Sequence, residues 1–240
     1  MRWLIVSNLN VIGNGELARL FINETFSCDI LFFASGVSNS NCVDRQQFCR
    51  ESNLLKQAIQ SNPGKKIVYF SSSALSAEKY AYNDYYKHKL SMEQMVKQES
   101  ASYVIFRFPQ VFGCYNANKN TLINFIFKSI LNNVEINVSD DAYRYLIYTK
   151  DLQALVLEFL KHNKKNVTID FSNPYRYHIL EIIEMIENHL QRKCQMTVVK
   201  HTDKYSLDLS MQNKFINEVN LELGFSESYF KNRLQYFYVE

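Results

Sequence analysis

Residues 66–89 read KIVYFSSSALSAEKYAYNDYYKHK, and this stretch contains the pattern that recurs along the chain. It begins with a continuously apolar, β-rich run at 67–70, which is typical of a strand buried on both faces. Three serines follow the run directly, so the predicted strand carries hydroxyl groups at its C-terminal end. From residue 85 onward the spacing of apolar residues is helical. The stretch therefore predicts a buried strand followed by a helix.

The same alternation of strand and helix extends over most of the sequence. Apolar runs predict further strands at 3–6, 30–34, 103–108 and 167–171, and helical spacing predicts helices at 16–22, 45–59, 85–96, 122–131, 152–160 and 179–190. Such alternation favours a parallel sheet covered by helices on both faces. We therefore predict an α/β fold with a Rossmann-like, doubly wound parallel sheet over residues 1–171. A smaller C-terminal, substrate-side lobe is predicted over 172–240, with part of 110–150 contributing to the substrate site.

Composition excludes several classes of function. The 27 basic and 24 acidic residues form no long block of like charge, so neither a nucleic-acid partner nor a polybasic membrane anchor is expected. The five cysteines include no C-x-x-C pair and the five histidines are scattered, so no metal site is predicted. No secretory signal or membrane-spanning run is visible, and we expect a cytoplasmic protein.

The candidate chemistry depends on Tyr85 and Lys89, which lie four residues apart on the predicted helix and so share one face. A nearby cation favours the phenolate, so Lys89 is expected to lower the pKa of Tyr85. Tyr85 would then donate or accept a proton at a carbonyl or alcohol, and Ser73 would hydrogen-bond the same oxygen. His88 is expected to point away from this face as a surface residue.

The Y-x-x-x-K pattern is not specific by itself. With sixteen tyrosines in the chain, about one match is expected by chance, and Tyr115 with Lys119 also fits. Tyr85 is distinguished by its context, because it opens a helix after a strand that ends in three serines. The alternative that Tyr85 is only an aromatic residue on a helix surface stays open.

These motifs resemble the extended short-chain dehydrogenase/reductase family, particularly its nucleotide-sugar epimerases, dehydratases and reductases. Residues 29–35 (DILFFAS) resemble the strand that approaches the nicotinamide, and 66–73 resemble the serine strand. Residues 85–90 (YYKHKL) are similar to the Y-x-x-x-K-L segment. The segment 105–113 (IFRFPQVFG) resembles the strand and loop that turn toward the sugar. Residues 144–151 (RYLIYTKD) are close to the signature R-D-x-I-x-V-x-D.

The resemblance implies the site residues, a bound NAD or NADP and a nucleotide-sugar substrate. Implied as catalytic are Ser73, Tyr85 and Lys89. Implied as cofactor-binding are Asn8, Gly13, Gly15, Ala34, Ser35, Gly36, Ser71, Lys89 and Pro109. Implied as substrate-binding are Ser73, Gln110, Thr121 and Arg144, the last at the diphosphate. A homodimer built from the helices at 45–59 and 85–96 is also expected. An ordinary salt bridge from Arg144 to Asp140 or Asp141 is the alternative for that arginine.

The cofactor region departs from the family pattern. Residues 7–15 (SNLNVIGNG) retain two glycines but have Asn8 at the place of the first glycine, and Gly13 and Gly15 could form only a tight turn. Only about twenty residues separate the first predicted strand from Asp29, too few for the usual helix, strand, helix and strand. An acidic residue for the adenosine ribose is not evident. The choice between NAD and NADP therefore stays open.

The predicted function is an NAD(P)-dependent oxidoreductase acting on a nucleotide-activated sugar, either a keto-sugar reductase or an epimerase, in surface polysaccharide biosynthesis. A reductase is slightly favoured over an epimerase or a dehydratase, because no further Glu or Asp is seen beside Ser73 to remove a carbon-bound proton. The alternative from a different class is a non-catalytic binding or regulatory protein that kept the Rossmann-like fold after its cofactor site decayed.

Overall fold

The computed structural model describes residues 10–24, 29–77, 83–116, 119, 121–162 and 164–237. The predicted strand at 3–6 and the cofactor-binding candidate Asn8 lie outside these residues. The chain divides into two compact units. The first unit contains residues 1–71, 83–106 and 157–169, and the second contains 72–82, 107–156 and 170–240. The second unit thus takes in segments that the predicted division at residue 171 had grouped with the N-terminal domain.

The described residues form nine strands and eight helices. In chain order these are β1 (Val11–Ile12), α1 (Glu16–Phe21), β2 (Ile30–Phe33), α2 (Arg45–Ser61), β3 (Lys66–Ser72), α3 (Asp84–Glu99), β4 (Ser102–Phe108), β5 (Gln110–Phe112), α4 (Leu122–Leu131), β6 (Ile136–Tyr148), α5 (Thr149–Lys161), β7 (Val167–Asp170), β8 (Arg176–His178), α6 (Ile179–Leu190), β9 (Met196–Asp203), α7 (Ser210–Val219) and α8 (Tyr229–Leu234). A short 3-10 turn, Ser73–Ser76, follows β3.

The sheet of the first unit has the strand order β1-β2-β3-β4-β7, and β1, β2 and β3 run parallel. The predicted Rossmann-like parallel sheet is confirmed. One detail of the prediction is wrong, because residues 11 and 12 pair with Phe32 and Phe33 as strand β1 instead of belonging to a glycine-bearing loop. Within the described ranges β1 is the edge strand, so the sheet does not continue beyond it there.

The core of the first unit has a part on each face of the sheet. Aromatic rings of α1 and α5 pack on one face, and helices α2 and α3 cover the other. The sheet contributes buried residues such as Leu31 and Tyr69, while Leu55 on α2 and Met92 on α3 pack against them. Each large apolar side chain buried in this way contributes roughly 1.5–3 kcal/mol to stability. Packing against the sheet therefore determines which face of each helix turns inward.

Polar caps determine where the two helices begin. The Asp44 carboxylate accepts a hydrogen bond from the backbone N–H of Gln46 at the start of α2. The Asn83 side chain accepts one from the backbone N–H of Tyr86 at the start of α3. Such caps satisfy N–H groups that have no partner within the helix. The Asn83 cap places Tyr85 in the first turn of α3, one turn before Lys89.

The second unit is organised around the long strand β6. Its first half pairs in parallel with β9, and its second half pairs with β5 in parallel and with β8 antiparallel. The pairing with β9 contains a register shift between Ser139 and Asp141 and continues to Ala142. Helices α4, α6 and α8 contribute to the buried apolar cluster of this unit. The arrangement brings Tyr143, Arg144 and Tyr145 beside β8.

Candidate functional site

Helix α3 presents Tyr85 and Lys89 on its buried side in the first unit. Lys89 is 3% exposed and Tyr85 is 7% exposed, and Tyr85 packs with Val37 and Cys42. The ammonium nitrogen of Lys89 lies 6.0 Å from the centre of the Tyr85 ring. Tyr85 and Lys89 therefore lie on one face of α3, as predicted, but this face is directed to the interior of the first unit.

The Lys89 ammonium group has a carboxylate partner that the sequence analysis did not identify. Its Nζ lies 3.0 Å from Glu51 Oε1 and donates to the Tyr69 hydroxyl at 3.1 Å. The Tyr69 hydroxyl in turn donates to Glu51 Oε1 at 2.7 Å. Glu51 and Lys89 form a buried ion pair, with side chains 0% and 4% exposed. We call Glu51, Tyr69, His88 and Lys89 the Glu51 cluster.

The second carboxylate oxygen of Glu51 is also occupied. It accepts a hydrogen bond from the backbone N–H of Val37 at 2.6 Å and lies 3.0 Å from His88 Nε2. The His88 ring stacks on Phe48, and its side chain is only 8% exposed. The prediction that His88 is a surface residue is therefore wrong. The cluster joins the loop after β2, the strand β3 and the helices α2 and α3.

The pKa values of the cluster differ from the sequence prediction. Burial opposes ionisation of Glu51, but the charge of Lys89 and the hydrogen bonds from His88, Val37 and Tyr69 lower its pKa to about 2. The pKa of Tyr85 is raised, first by burial and then by the nearby Tyr86 and Glu51. The prediction of a lowered Tyr85 pKa is therefore wrong for this arrangement, because burial disfavours the charged phenolate.

The glycine turn after β1 has a specific packing reason. Gly13 has a φ of +135°, and a Cβ there would lie 2.5 Å from the carbonyl oxygen of Ala34. Ala34 also donates its backbone N–H to Ile12 at 2.8 Å, so the chain segments after β1 and β2 are in close contact. Gly15, at the start of α1, has open space around its Cα. These positions are compatible with a ligand approaching the strand ends, as the resemblance implies.

The loop after β2 is in contact with both helices that cover it. Ser35 accepts hydrogen bonds from the Arg50 guanidinium through its side chain and its carbonyl, at 3.2 and 3.1 Å. A Cβ on Gly36 would lie 2.6 Å from Lys89 Nζ. The predicted cofactor-binding residues Ser35 and Gly36 therefore lie directly beside the Glu51 cluster.

Two serines at the end of β3 keep buried hydroxyls. Ser71, in the first unit, and Ser73, in the second, are 8% and 0% exposed. Neither hydroxyl oxygen has a hydrogen-bond partner among the described residues. Buried hydroxyls normally are hydrogen-bonded, so an unpaired one is a candidate for contact with a ligand. The substrate-orienting role of Ser73 stays a prediction.

In the second unit Arg144 has a different partner from the one considered in the sequence analysis. Its guanidinium forms an ion pair with the Asp203 carboxylate and donates to the carbonyl oxygens of Asp203 and Tyr143, both at 2.8 Å. Asp141 instead pairs with Lys204, at 2.7 Å. The charge of Arg144 is thus balanced within the protein.

A cleft of about 740 Å³ opens within the second unit. Its lining combines hydroxyls, aromatic rings and cations, namely Ser76, Ala77, Tyr143, Arg176, Lys204, Tyr205, Ser206 and Asp208. The Arg176 guanidinium lies over the Tyr143 ring, 4.8 Å from its centre, and donates to the carbonyl oxygen of Tyr205 at 2.8 Å. Ser76 is held between Arg107, which donates to it, and Asp170, which accepts from it.

The remaining predicted substrate and cofactor residues also lie in the second unit. Gln110 begins β5 opposite Leu146, and Pro109 precedes it at the end of β4, half-buried. Thr121 is the N-cap position of α4, and its hydroxyl accepts a hydrogen bond from the Asn124 amide at 2.7 Å. None of these three residues lines the cleft described above.

The helices of the described residues include none that is long and apolar enough to cross a membrane.

Comparison with solved structures identifies the class of fold. A UDP-N-acetylglucosamine 4-epimerase from Methanobrevibacter ruminantium, solved with UDP-N-acetylmuramic acid, is 18% identical, with a TM-score of 0.64 over 85% of this chain and 74% of its own. A dTDP-glucose 4,6-dehydratase from Bacillus anthracis, solved with NAD, is 16% identical, with a TM-score of 0.64 over 87% and 72%. WbmG from Bordetella bronchiseptica, solved with NAD and UDP, is 14% identical, with a TM-score of 0.66 over 86% and 71%.

The sequence itself matches a narrower family. Residues 74–190 match the model of the RmlD substrate-binding domain. The predicted resemblance to the extended short-chain dehydrogenase/reductase family of nucleotide-sugar enzymes is confirmed by this match and by the fold. NAD, the predicted class of cofactor, is present in solved neighbours of this fold. A search of curated proteins gave no match.

The sequence analysis missed Glu51 and the cleft residues Arg176 and Lys204. A signal for Glu51 was available, since residues 51, 55, 58 and 59 form the buried stripe of α2 and only position 51 is acidic. An acidic residue on an otherwise apolar stripe predicts a buried partner of opposite charge. Arg176 and Lys204 carry no comparable signal, because the chain brings them together from distant segments.

Proposed function

We propose that the protein acts on a nucleotide-activated sugar as an NAD(P)-dependent oxidoreductase, either as a keto-sugar reductase or as an epimerase. The observation that supports the substrate class is the cleft of the second unit, in which Arg176 and Lys204 accompany Tyr143 and Tyr205. The Arg176 guanidinium suits a diphosphate, with Lys204 sharing its charge with Asp141, and tyrosine rings suit the flat face of a nucleobase. The volume lies in the range of small-molecule sites.

The redox part of the proposal is supported by Tyr85 and Lys89 on one face of α3. When bound, NAD or NADP supplies the hydride. In the proposed roles Tyr85 exchanges a proton with the sugar oxygen, Ser73 orients that oxygen, and Lys89 holds the nicotinamide ribose. In the proposed roles the turn at Gly13 lets the backbone approach the cofactor pyrophosphate, while Lys89 also pairs with Glu51.

The proposal predicts that Tyr85→Phe abolishes turnover of UDP- and dTDP-linked keto-sugars with NADH or NADPH. The reason is that phenylalanine keeps the packing with Val37 and Cys42 but has no exchangeable proton. The control is Tyr115→Phe, at the second Y-x-x-x-K match, which should retain activity. Thermal unfolding checks that both variants fold. Turnover by the Tyr85→Phe variant would contradict the assignment.

The biological setting remains part of the proposal. Nucleotide-activated sugars are the substrates of surface polysaccharide assembly, and we propose that the protein supplies a modified sugar for it in the cytoplasm. A homodimer through α2 and α3 is proposed as well. Sedimentation equilibrium, which gives the mass in solution, tests the dimer against a monomer of 28.3 kDa.

A second candidate function is a non-catalytic protein that binds a nucleotide sugar. The observation that favours it is the Glu51–Lys89 ion pair, together with the raised pKa of Tyr85. Titrations with UDP and with NADH and NADPH separate the two functions. Binding of both ligand classes supports the enzyme, whereas binding of UDP without either dinucleotide supports the second candidate.

A further inference from the structure

The Lys89 ammonium group is almost fully buried, with the residue 3% exposed, and it has two partners within the protein. Of its three N–H donors, one points at Glu51 and another at the Tyr69 hydroxyl. Nζ also fills the space that glycine leaves at position 36, because a Cβ there would lie 2.6 Å from it. A ribose hydroxyl that replaces these contacts must displace part of the Glu51 cluster.

Glu51 is equally tied to its position. Its two oxygens receive hydrogen bonds or charge contacts from four groups: the Val37 N–H, the Tyr69 hydroxyl, the His88 ring and the Lys89 ammonium. Removing Lys89 from this carboxylate leaves a buried charge without its counter-ion, which is strongly unfavourable. The pair therefore resists any ligand that requires Lys89.

We infer that Glu51 competes with the dinucleotide for Lys89 and is the residue that weakens cofactor binding by this chain. The inference rests on the proposed function, because it assumes that the nicotinamide ribose binds Lys89. Glu51 acts through Lys89 and is a positioning residue. A neutral amide at position 51 keeps one acceptor oxygen where the carboxylate has two, and it no longer neutralises Lys89.

The ion-pair step can be tested without any cofactor. We expect Glu51→Gln and Lys89→Met each to lower the melting temperature by roughly 10 °C. The double variant should lose clearly less than the sum of the two, because each single change leaves one buried charge unpaired. The control pair is Glu158 and Lys161, whose side chains are 27% and 69% exposed and which should show additive, small changes. Additive losses for Glu51 and Lys89 overturn the inference.

The competition step is tested by titrating wild-type protein and Glu51→Gln with NADH and with NADPH, followed by nicotinamide fluorescence. We expect the variant to bind at least about tenfold more tightly, because the ligand no longer has to break the ion pair. Should Glu51→Gln not fold, Glu51→Asp weakens the same contact and should give a smaller gain.

The outcomes separate the inference from the proposed function. Equal, measurable affinities for the two proteins overturn the competition and leave the proposed function intact. Coupled stabilities with no binding of either dinucleotide by either protein overturn the proposed redox function, and the competition with it. A gain in affinity together with coupled stabilities supports both.

Discussion

The low pKa of Glu51 makes a quantitative prediction about stability at acid pH. The pKa falls from an ordinary value of 4.5 to about 2 in the folded protein. One pKa unit is worth about 1.4 kcal/mol, so ionised Glu51 stabilises the fold by about 3 kcal/mol at neutral pH. Because the folded pKa is the lower one, this contribution is complete above pH 4.5 and is lost as the pH falls through about 2.

The perturbation is Glu51→Gln, which removes the titrating group from the same position. At pH 3 the linkage relation leaves the wild type with about 1.4 kcal/mol of the contribution. The stability difference between wild type and Glu51→Gln should therefore narrow by about 2 kcal/mol between pH 7 and pH 3. Subtracting the two profiles cancels the titration of the other carboxylates, which both proteins share.

Urea unfolding at a series of pH values, monitored by far-UV circular dichroism, measures this difference directly. The matched control is Glu99→Gln at the exposed end of α3, whose profile should run parallel to that of the wild type. If the Glu51→Gln profile also runs parallel to the wild type down to pH 3, the carboxylate does not stabilise the fold through its charge. That result would refute the assignment of the Glu51–Lys89 pair.

Three further predictions concern single residues. Gly13→Ala should destabilise the fold by about 3 kcal/mol in urea unfolding, because it places a Cβ against the Ala34 carbonyl at a positive φ. The control Gly15→Ala, where a Cβ meets open space, should leave the stability nearly unchanged. Equal losses of stability in the two variants would contradict the packing argument. Asp151→Asn should lower the melting temperature by roughly 10 °C, since it removes the charge that two Arg233 nitrogens contact at 2.7 and 3.0 Å; an unchanged melting temperature would argue against this pair. Arg176→Ala should weaken UDP binding by about 10- to 100-fold in calorimetry. The control Arg192→Ala, outside the cleft, should bind UDP as the wild type does. Equal UDP affinities of the two variants would exclude the cleft as the diphosphate site.

The regular elements of the first unit could be predicted because their patterns are local. The strands β2, β3 and β4 contain continuous apolar runs, as strands buried on both faces require, whereas β7 (VTID) buries only Ile169. The helices α2 and α3 were predicted within a few residues of their bounds, because their apolar positions recur with helical spacing. In these elements the spacing of apolar residues along the chain is enough to predict which residues are buried.

The strands of the second unit were not predicted, because their patterns are not local. Along β6 buried positions such as Ile136 and Val138 alternate with exposed ones, and β9 is exposed almost throughout. The strand β9 has no continuous apolar run, and β6 has one only in its last four residues, 145–148. Their pairing joins segments about sixty residues apart, such as Ile136 with Met196. Which strands pair over that separation in sequence is decided by the packing of the folded chain.

In the candidate site as well, local spacing predicted some features, and only the tertiary structure decided others. Local spacing was enough to place Tyr85 and Lys89 on one face of a helix, and the serines at the end of a strand. The carboxylate that Lys89 contacts is Glu51, which lies thirty-eight residues away in sequence and 3.0 Å away in space. Electrostatic interactions act over distances in space, so only the folded chain shows that the lysine meets a carboxylate before it meets any ligand.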